Sequence, residues 1–88
     1  MERQYRLREA GLEWRLVEGE IVALDVESSE YLAVNKSGAA IWEQLVTGAS
    51  KRDMVSSLQS NYSLDADAAD QDVSAFLEQL SARGLLEA

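Results

Sequence analysis

The stretch "EYLAVNKSGAAIWEQL", residues 30–45, passes from a strand pattern to a helix pattern without a proline or a long loop. Tyr31 and Val34 are residue types that suit a pleated strand. The apolar residues that follow have helical spacing, at Ile41, Trp42 and Leu45. Asn35 stands between the two patterns and carries a side chain suited to a helix N-cap. The stretch therefore predicts a short strand that leads directly into a helix.

The segment before residue 30 predicts two further strands. Glu13 and Arg15 alternate with the apolar residues of one strand face, which are Leu12, Trp14 and Leu16. A second alternating run covers residues 21–26, after a turn at Gly19, and "ESSE", residues 27–30, makes the next turn. Three short strands joined by tight turns predict an antiparallel meander. We expect its last strand, residues 30–34, to leave one edge unpaired.

The segment after Asn35 predicts three helices. The first runs from about Lys36 to Val46 and ends at Gly48, a residue type common just after a helix. "SKRD", residues 50–53, resembles a capping box and begins the second helix. The third helix has the clearest apolar stripe of the chain, formed by Ala69, Val73, Phe76, Leu77 and Leu80. After it, Gly84 suits a Schellman motif that would bring Leu85 to Leu80.

The order of these elements predicts a single α+β domain over residues 1–88. A three-stranded antiparallel sheet is followed by three helices, in a winged helix-turn-helix-like arrangement. We expect residues 1–10 to be a flexible tail, and their charge and lack of an apolar core exclude a signal peptide. No apolar run approaches the roughly 20 residues of a membrane span. A cytoplasmic protein without a membrane partner is therefore expected.

The charge of the chain argues against nucleic acid as a partner. It has 16 acidic and 8 basic residues, a net charge of −8. Nucleic-acid binding depends on Lys and Arg side chains that displace counterions from phosphates. In a winged-helix DNA-binding regulator, the alternative of another class, the third helix would meet DNA. Here Arg83 is its only basic residue, beside the acidic residues Asp65, Asp67, Asp70, Asp72 and Glu78.

The residue types that carry most enzyme chemistry are missing. The chain has no histidine and no cysteine, so it lacks the commonest general base and any thiolate ligand. No glycine-rich phosphate loop precedes a helix. Asp65 and Asp67 fit the acidic first turn of a helix better than a pair of catalytic carboxylates. We therefore expect neither an enzyme nor a bound metal or cofactor.

Taken in order, the motifs of the chain resemble the PqqD-like domains, also called recognition elements of ribosomally made, modified peptides. The shared pattern is an aspartate before a tight turn, "Y-x-x-x-N", a small residue, "IW", a glycine, "D-V-x-x-F-L-x-x-L" and "G-L-L". The residues that match it are Asp25, Tyr31, Asn35, Ala39, Ile41, Trp42, Gly48, Asp72, Val73, Phe76, Leu77, Leu80, Gly84, Leu85 and Leu86. The resemblance covers about residues 24–86.

The resemblance implies a binding module that holds the leader of a precursor peptide and presents its core to a separate processing enzyme. The leader would add a strand to residues 30–34 and lie against the third helix, which is recognition by β-augmentation. The implied peptide-binding residues are Glu30, Tyr31, Leu32, Ala33, Val34, Asp72, Val73, Phe76, Gln79 and Leu80. Independently, residues 30–34 carry no lysine or proline that would protect an exposed strand edge.

Several of these residues also have a purely structural interpretation. Val73 and Phe76 lie on the apolar stripe, and most such residues are core. Leu32 and Val34 would be core as well, and Tyr31 would pack on the opposite sheet face. The polar side chains of the third helix, Asp72 and Gln79, would then be solvated.

Within the family, "LAVNKSGAAIWEQLVTGAS" and the "GLLE" ending look most like the stand-alone lasso-peptide members. Those members cooperate with a separate leader peptidase. The leader expected there carries a tyrosine and, three residues later, a proline, both entering a hydrophobic pocket. The alternative within the family is a peptide chaperone for a quinone-cofactor pathway or another radical-enzyme modification pathway.

Overall fold

The fold is given by a computed structural model that describes residues 2–87. Its elements in chain order are β1 (Gln4–Tyr5), β2 (Leu12–Val17), β3 (Glu20–Asp25), β4 (Glu30–Val34), α1 (Lys36–Thr47), β5 (Ala49–Ser50), α2 (Lys51–Tyr62) and α3 (Ala66–Ala82). β2, β3 and β4 form an antiparallel sheet in that order, and three helices follow. The predicted α+β fold is therefore confirmed. No helix of the described residues is long and apolar enough to cross a membrane.

The helices cover one face of the sheet and enclose a single apolar core. β3 contributes Ile21 and Ala23 to it, and β4 contributes Leu32 and Val34. The most buried helical side chains are Ile41, Trp42, Leu45, Met54, Leu58, Ala69, Val73 and Leu80. Trp14 of β2 lies edge-on against Trp42, with ring centroids 6.1 Å apart. No helix of residues 2–87 covers the opposite sheet face, so alternate strand residues such as Val22 and Tyr31 remain exposed.

The helix ends that the sequence predicted are formed by the residues expected. The Asn35 side chain accepts a hydrogen bond from the Gly38 N–H at 3.0 Å, which caps α1. The Ser50 hydroxyl does the same for α2, as predicted. Asp65, which was predicted only as part of an acidic first turn, caps α3. After α3, the Leu85 N–H donates to the Leu80 C=O at 2.9 Å, which completes the Schellman motif at Gly84. These caps satisfy backbone groups that a helix end otherwise leaves unpaired.

The N-terminal segment is ordered, and the prediction of a flexible tail over residues 1–10 is wrong for the described part. β1 pairs with the short strand β5 between α1 and α2. Leu7 is buried and donates its N–H to the Leu45 C=O at 2.9 Å. Leu7 also forms an antiparallel bridge with Leu86, so it lies between α1 and the segment after α3, in contacts that a charged sequence pattern does not reveal. Met1 lies outside the described residues.

Arg8 extends this N-terminal attachment to the sheet and to the end of α3. Its guanidinium donates to the Asp25 carboxylate at 2.9 Å, to the Gly84 C=O at 3.0 Å and to the Ala10 C=O at 2.9 Å. Burial alone would raise the pKa of the Asp25 carboxyl. Hydrogen bonds from Arg8 and Ser28 and the Arg8 charge outweigh burial, and they hold that pKa below its usual value.

Candidate functional site

β4 is an end strand of the sheet, and within residues 2–87 only β3 pairs with it. α3 passes beside its other edge in the opposite direction. At one end Arg83 lies 3.7 Å from the Glu30 carboxylate, and at the other Phe76 lies near the residues where β4 meets α1. We call the space between the β4 edge and α3 the edge cleft. The α3 side chains that mark its two ends are Arg83, beside Glu30, and Phe76, beside Gly38.

The turn of the β2–β3 hairpin determines which backbone groups face this cleft. Glu18 and Gly19 have positive φ angles of 51° and 83°, the combination of a type I′ turn. Such a turn makes Val17 and Glu20 a hydrogen-bonded pair, and bonding then alternates along the antiparallel strands. β3 consequently directs the backbone groups of residues 20, 22 and 24 toward β2, and those of residues 21, 23 and 25 toward β4.

The same alternation identifies the free backbone groups of β4. The partners of residues 21, 23 and 25 are Val34, Leu32 and Glu30, so these three bond to β3. The N–H and C=O groups of Tyr31 and Ala33 therefore point to the unpaired edge. Four backbone groups are thus available for pairing with another extended chain.

One end of the edge cleft opens into a cavity of about 230 Å³. Its lining combines apolar side chains with charged ones at the mouth and consists of Leu12, Ala23, Asp25, Ser28, Glu30, Leu32, Ala82, Arg83 and Leu85. The Glu30–Arg83 ion pair lies at this cavity, with 66% of the Glu30 side chain and 38% of the Arg83 side chain exposed. Screening by water makes such a pair weak, so it does not seal the cavity.

The other end of the edge cleft holds a second cavity, of about 290 Å³. It is lined by Asn35, Ser37, Gly38, Ile41, Leu58, Asp72, Ala75, Phe76 and Gln79. The half-buried ring of Phe76 forms its apolar side, while Asp72 and Gln79 expose polar groups. This end therefore offers hydrogen-bonding groups beside an aromatic surface.

Gly38 lets the start of α1 pack closely against Val34 of β4 and Phe76 of α3. A Cβ atom at position 38 would lie 2.5 Å from Val34 Cγ1 and 3.3 Å from Phe76 Cε1. The first distance is too short for a real Cβ contact, and Val34 is a buried β-branched residue with little freedom to move. A side chain at position 38 would therefore press on both residues at the Phe76 end of the edge cleft.

The predicted site residues divide into three groups. Asp72, Phe76 and Gln79 line the second cavity, and the backbone of residues 30–34 forms the cleft edge. Leu32 and Val34 turn their side chains to the core, whereas Tyr31, 72% exposed, lies with Ala33 on the face without helices. Val73 and Leu80 are both 0% exposed, so their side chains support the cleft from beneath and present no surface to a ligand.

Sequence reasoning did not include Gly38 or Arg83 among the site residues. A glycine two residues into a helix was the available signal for Gly38, since glycine is costly there unless close packing requires it. Arg83 was visible only as the single basic residue near the end of α3. Among residues 2–87, no group of three or more Asp, Glu, His or Cys side chains is placed to hold a metal ion.

Comparison with known proteins gives both a family and a fold. The family model for coenzyme PQQ synthesis protein D (PqqD) matches residues 20–86. The solved structure "TbiB1 in Complex with the TbiA(beta) Leader Peptide" superposes with a TM-score of 0.85 at 24% identity, over 94% of this chain and 95% of that one. At this identity the likeness shows the fold alone.

A second solved structure, "Lasso peptide synthetase B1 complexed with the leader peptide", has a TM-score of 0.83 at 28% identity. It covers 96% of this chain and 98% of the other, so the two domains correspond almost from end to end. Curated protein sequences give no match.

Proposed function

We propose that this chain, which belongs to the PqqD family, binds the leader segment of a ribosomally synthesised precursor peptide. The leader adds as a strand to the free edge of β4 and occupies the edge cleft. The bound precursor is then delivered to a separate leader peptidase or another peptide-modifying enzyme, within the cytoplasm, where ribosomes make it. The single observation that carries this proposal is the unpaired β4 edge, whose free N–H and C=O groups stand beside a cleft with a cavity at each end.

In recognition by an added strand, backbone hydrogen bonds supply affinity and pockets for alternate side chains supply selectivity. Tyr31 and Ala33 supply backbone hydrogen bonds to any extended peptide. Successive side chains of an added strand point to opposite faces, and alternate ones lie about 7 Å apart on one face. One set of leader side chains therefore enters the edge cleft and its two cavities, and the other set lies beside exposed Tyr31. The side chains that enter the cleft distinguish a leader from other extended peptides.

The precursor class that we propose is the lasso peptide. Support comes from the fold shared nearly end to end with a protein described as lasso peptide synthetase B1, whose structure holds a leader peptide. The second candidate is a peptide chaperone in quinone-cofactor synthesis, supported by the family model that matches residues 20–86. Leader peptides of the two classes differ in sequence, so their relative affinities discriminate between the candidates.

We also propose that the protein acts as a binding partner and has no catalytic activity. It has neither histidine nor cysteine, and the two carboxylates that line the first cavity, Asp25 and Glu30, each lie beside an arginine, Arg8 and Arg83 respectively. Incubation of a precursor peptide with the protein alone should leave the peptide mass unchanged. Hydrolysis or any other mass change would contradict a purely binding role.

NMR spectroscopy tests the binding mode directly. A leader peptide of about 20 residues is titrated into isotope-labelled protein. The Tyr31 and Ala33 amides should shift and become protected from hydrogen exchange, because each gains a carbonyl acceptor. The Trp14 and Leu16 amides, which face the opposite edge of the same sheet, serve as internal controls and should not change.

Two additional ligands complete the experiment. A scrambled leader of equal composition should bind at least about tenfold more weakly, because its side chains no longer match the cleft. Duplex DNA should cause no shifts at low salt, where phosphate binding is strongest. Leader binding without protection at Tyr31 and Ala33 would refute strand addition, and salt-sensitive DNA binding would support a DNA-binding regulator instead.

A further inference from the structure

The sheet has a second unpaired edge, on β2, and its exposed side chains are arranged to complement a copy of themselves. Within residues 2–87 only β3 pairs with β2. The large side chains of Trp14, Leu16 and Val17 are 39%, 52% and 44% exposed. No lysine or proline occurs in residues 12–17, and the charged residues of this strand are Glu13 and Arg15, which have opposite signs.

Backbone alternation limits how two β2 strands can pair. Residues 13, 15 and 17 bond to β3, so the N–H and C=O groups of Trp14 and Leu16 point outward. The Leu12 C=O also points outward, while its N–H is directed to the Glu9 C=O at 3.5 Å. An antiparallel pairing about a two-fold axis must match outward residues with outward residues. The registers that pair at least two of the outward residues 12, 14 and 16 with one another are centred on position 13, 14 or 15.

Charge selects one of these three registers. A pairing centred on residue 13 places Glu13 opposite Glu13, and one centred on residue 15 places Arg15 opposite Arg15. Centring on Trp14 instead places Glu13 of each copy opposite Arg15 of the other, in the closely spaced, non-hydrogen-bonded positions. Both residues are exposed, and neither forms an ion pair elsewhere among the described residues. Opposite charges stabilise such cross-strand pairs, and like charges destabilise them.

The apolar face fits the same register. With Trp14 at the centre, Leu16 of one copy lies opposite Leu12 of the other, on the face that carries the helices. A hollow of about 210 Å³ adjoins Leu12 there, lined by Leu7, Arg8, Glu9, Leu12, Trp14 and Val46. The exposed Leu16 side chain of the second copy is directed toward this hollow. Burial of apolar surface in it contributes to association.

We propose that β2 is a self-association surface, where a second copy of this chain pairs antiparallel about Trp14 to give a six-stranded sheet. The interface is short, which places the dimer in the weak, concentration-dependent class. Both β4 edges lie at the outer ends of the combined sheet and stay free. One dimer therefore carries two edge clefts, and self-association does not require leader binding.

Sedimentation velocity from about 10 μM to 1 mM protein at low salt tests this inference. The wild-type chain should approach twice its 9.7 kDa mass as concentration rises. Glu13→Arg and Arg15→Glu should each weaken association at least about tenfold, because each places two like-charge pairs in the interface. Far-UV circular dichroism checks that both variants keep the parent fold, as expected for exposed positions.

The decisive measurement mixes the two variants. Glu13→Arg has arginine at both positions and Arg15→Glu has glutamate at both, so their mixture regains opposite charges and should dimerise like the parent. The double variant that exchanges the two residues should also dimerise. A monomeric parent at 1 mM, or a mixture no stronger than its components, would overturn the proposal. Protection of the Trp14 and Leu16 amides only when a leader peptidase is added would assign the edge to that enzyme instead.

Discussion

The two edges of one sheet differ in what lies beside them. β4 is flanked by α3, and the two elements leave a cleft with a cavity at each end. In residues 2–87 no helix lies beyond the β2 edge, and Trp14 and Leu16 are partly exposed. Both edges offer the same backbone groups and lack lysine and proline. Backbone pairing alone is therefore unselective, and the neighbouring element determines which chain each edge accepts.

The largest effect is expected from Leu32→Pro, which tests which side of β4 is free. Leu32 bonds to β3, and its side chain is only 9% exposed. The substitution removes a ladder hydrogen bond and a core side chain, and should cost about 4 kcal/mol or more. Urea denaturation measures the loss. Ala33→Pro is the matched control and should change the free energy of unfolding by about 1 kcal/mol or less, because its N–H points outward. Equal losses in the two variants would show that the assignment, in which Leu32 bonds to β3 and Ala33 faces the free edge, is wrong.

The next effect concerns leader affinity and compares the two edges. Ala33→Pro removes one outward N–H and places a ring at the β4 edge, so leader affinity should fall at least about tenfold. Leu16→Pro makes the same change on β2 and should leave leader affinity unchanged while it weakens self-association. Fluorescence anisotropy with a labelled leader measures the first property, and sedimentation measures the second. A folded Ala33→Pro variant with parental leader affinity would exclude strand addition at β4.

A smaller effect is expected at Gly38, which packs against Val34 and Phe76 at one end of the edge cleft. Gly38→Ala places a Cβ atom 2.5 Å from Val34 Cγ1, and such overpacking costs about 1–3 kcal/mol. Phe76 must also shift, so leader affinity should fall by a few fold beyond the effect on stability. Glu43→Ala, at an exposed position on the same helix, controls for changes in helix propensity. Thermal unfolding measures the change in stability, and leader titration measures the change in affinity. Parental values of both would show that a side chain at position 38 disturbs neither the packing nor the edge cleft.

The smallest effect concerns the Arg8–Asp25 contact that joins the sheet to the end of α3. The folded protein lowers the pKa of Asp25, so this contact stabilises the fold above the unfolded pKa of about 4. The contribution is lost as pH falls through the lower, folded-state pKa. The melting temperature of Asp25→Asn should therefore lie below that of the parent at pH 7, and the gap should close at acid pH. Asp70→Asn, which breaks only an exposed pair with Lys51, should show a smaller gap. A difference in melting temperature that does not depend on pH would exclude the Asp25 carboxylate as its source.

Sequence patterns predicted the elements of the fold more completely than the surfaces of the site. The three strands, the three helices and their caps follow from periodicity and from residues such as Asn35, Ser50 and Gly84, which act within a few positions of the chain. The N-terminal segment was misjudged because Leu7 and β1 are held by contacts with residues more than 35 positions away. Local patterns carry no information about such partners.

The sequence by itself determined the type of molecule. An acidic chain with three alternating strands and three amphipathic helices specifies an α+β domain, and its net charge of −8 disfavours nucleic acid as a partner. Those properties depend on composition and on neighbours along the chain. Only the tertiary structure decided that Tyr31 and Ala33 carry the free backbone groups, that Val73 and Leu80 are covered, and that Gly38 and Arg83 border the cleft. Strand register and the position of a helix beside a strand depend on contacts between residues distant in sequence. The alternation of apolar and polar residues along a strand does not reveal them, because it is the same whichever strand lies next to it.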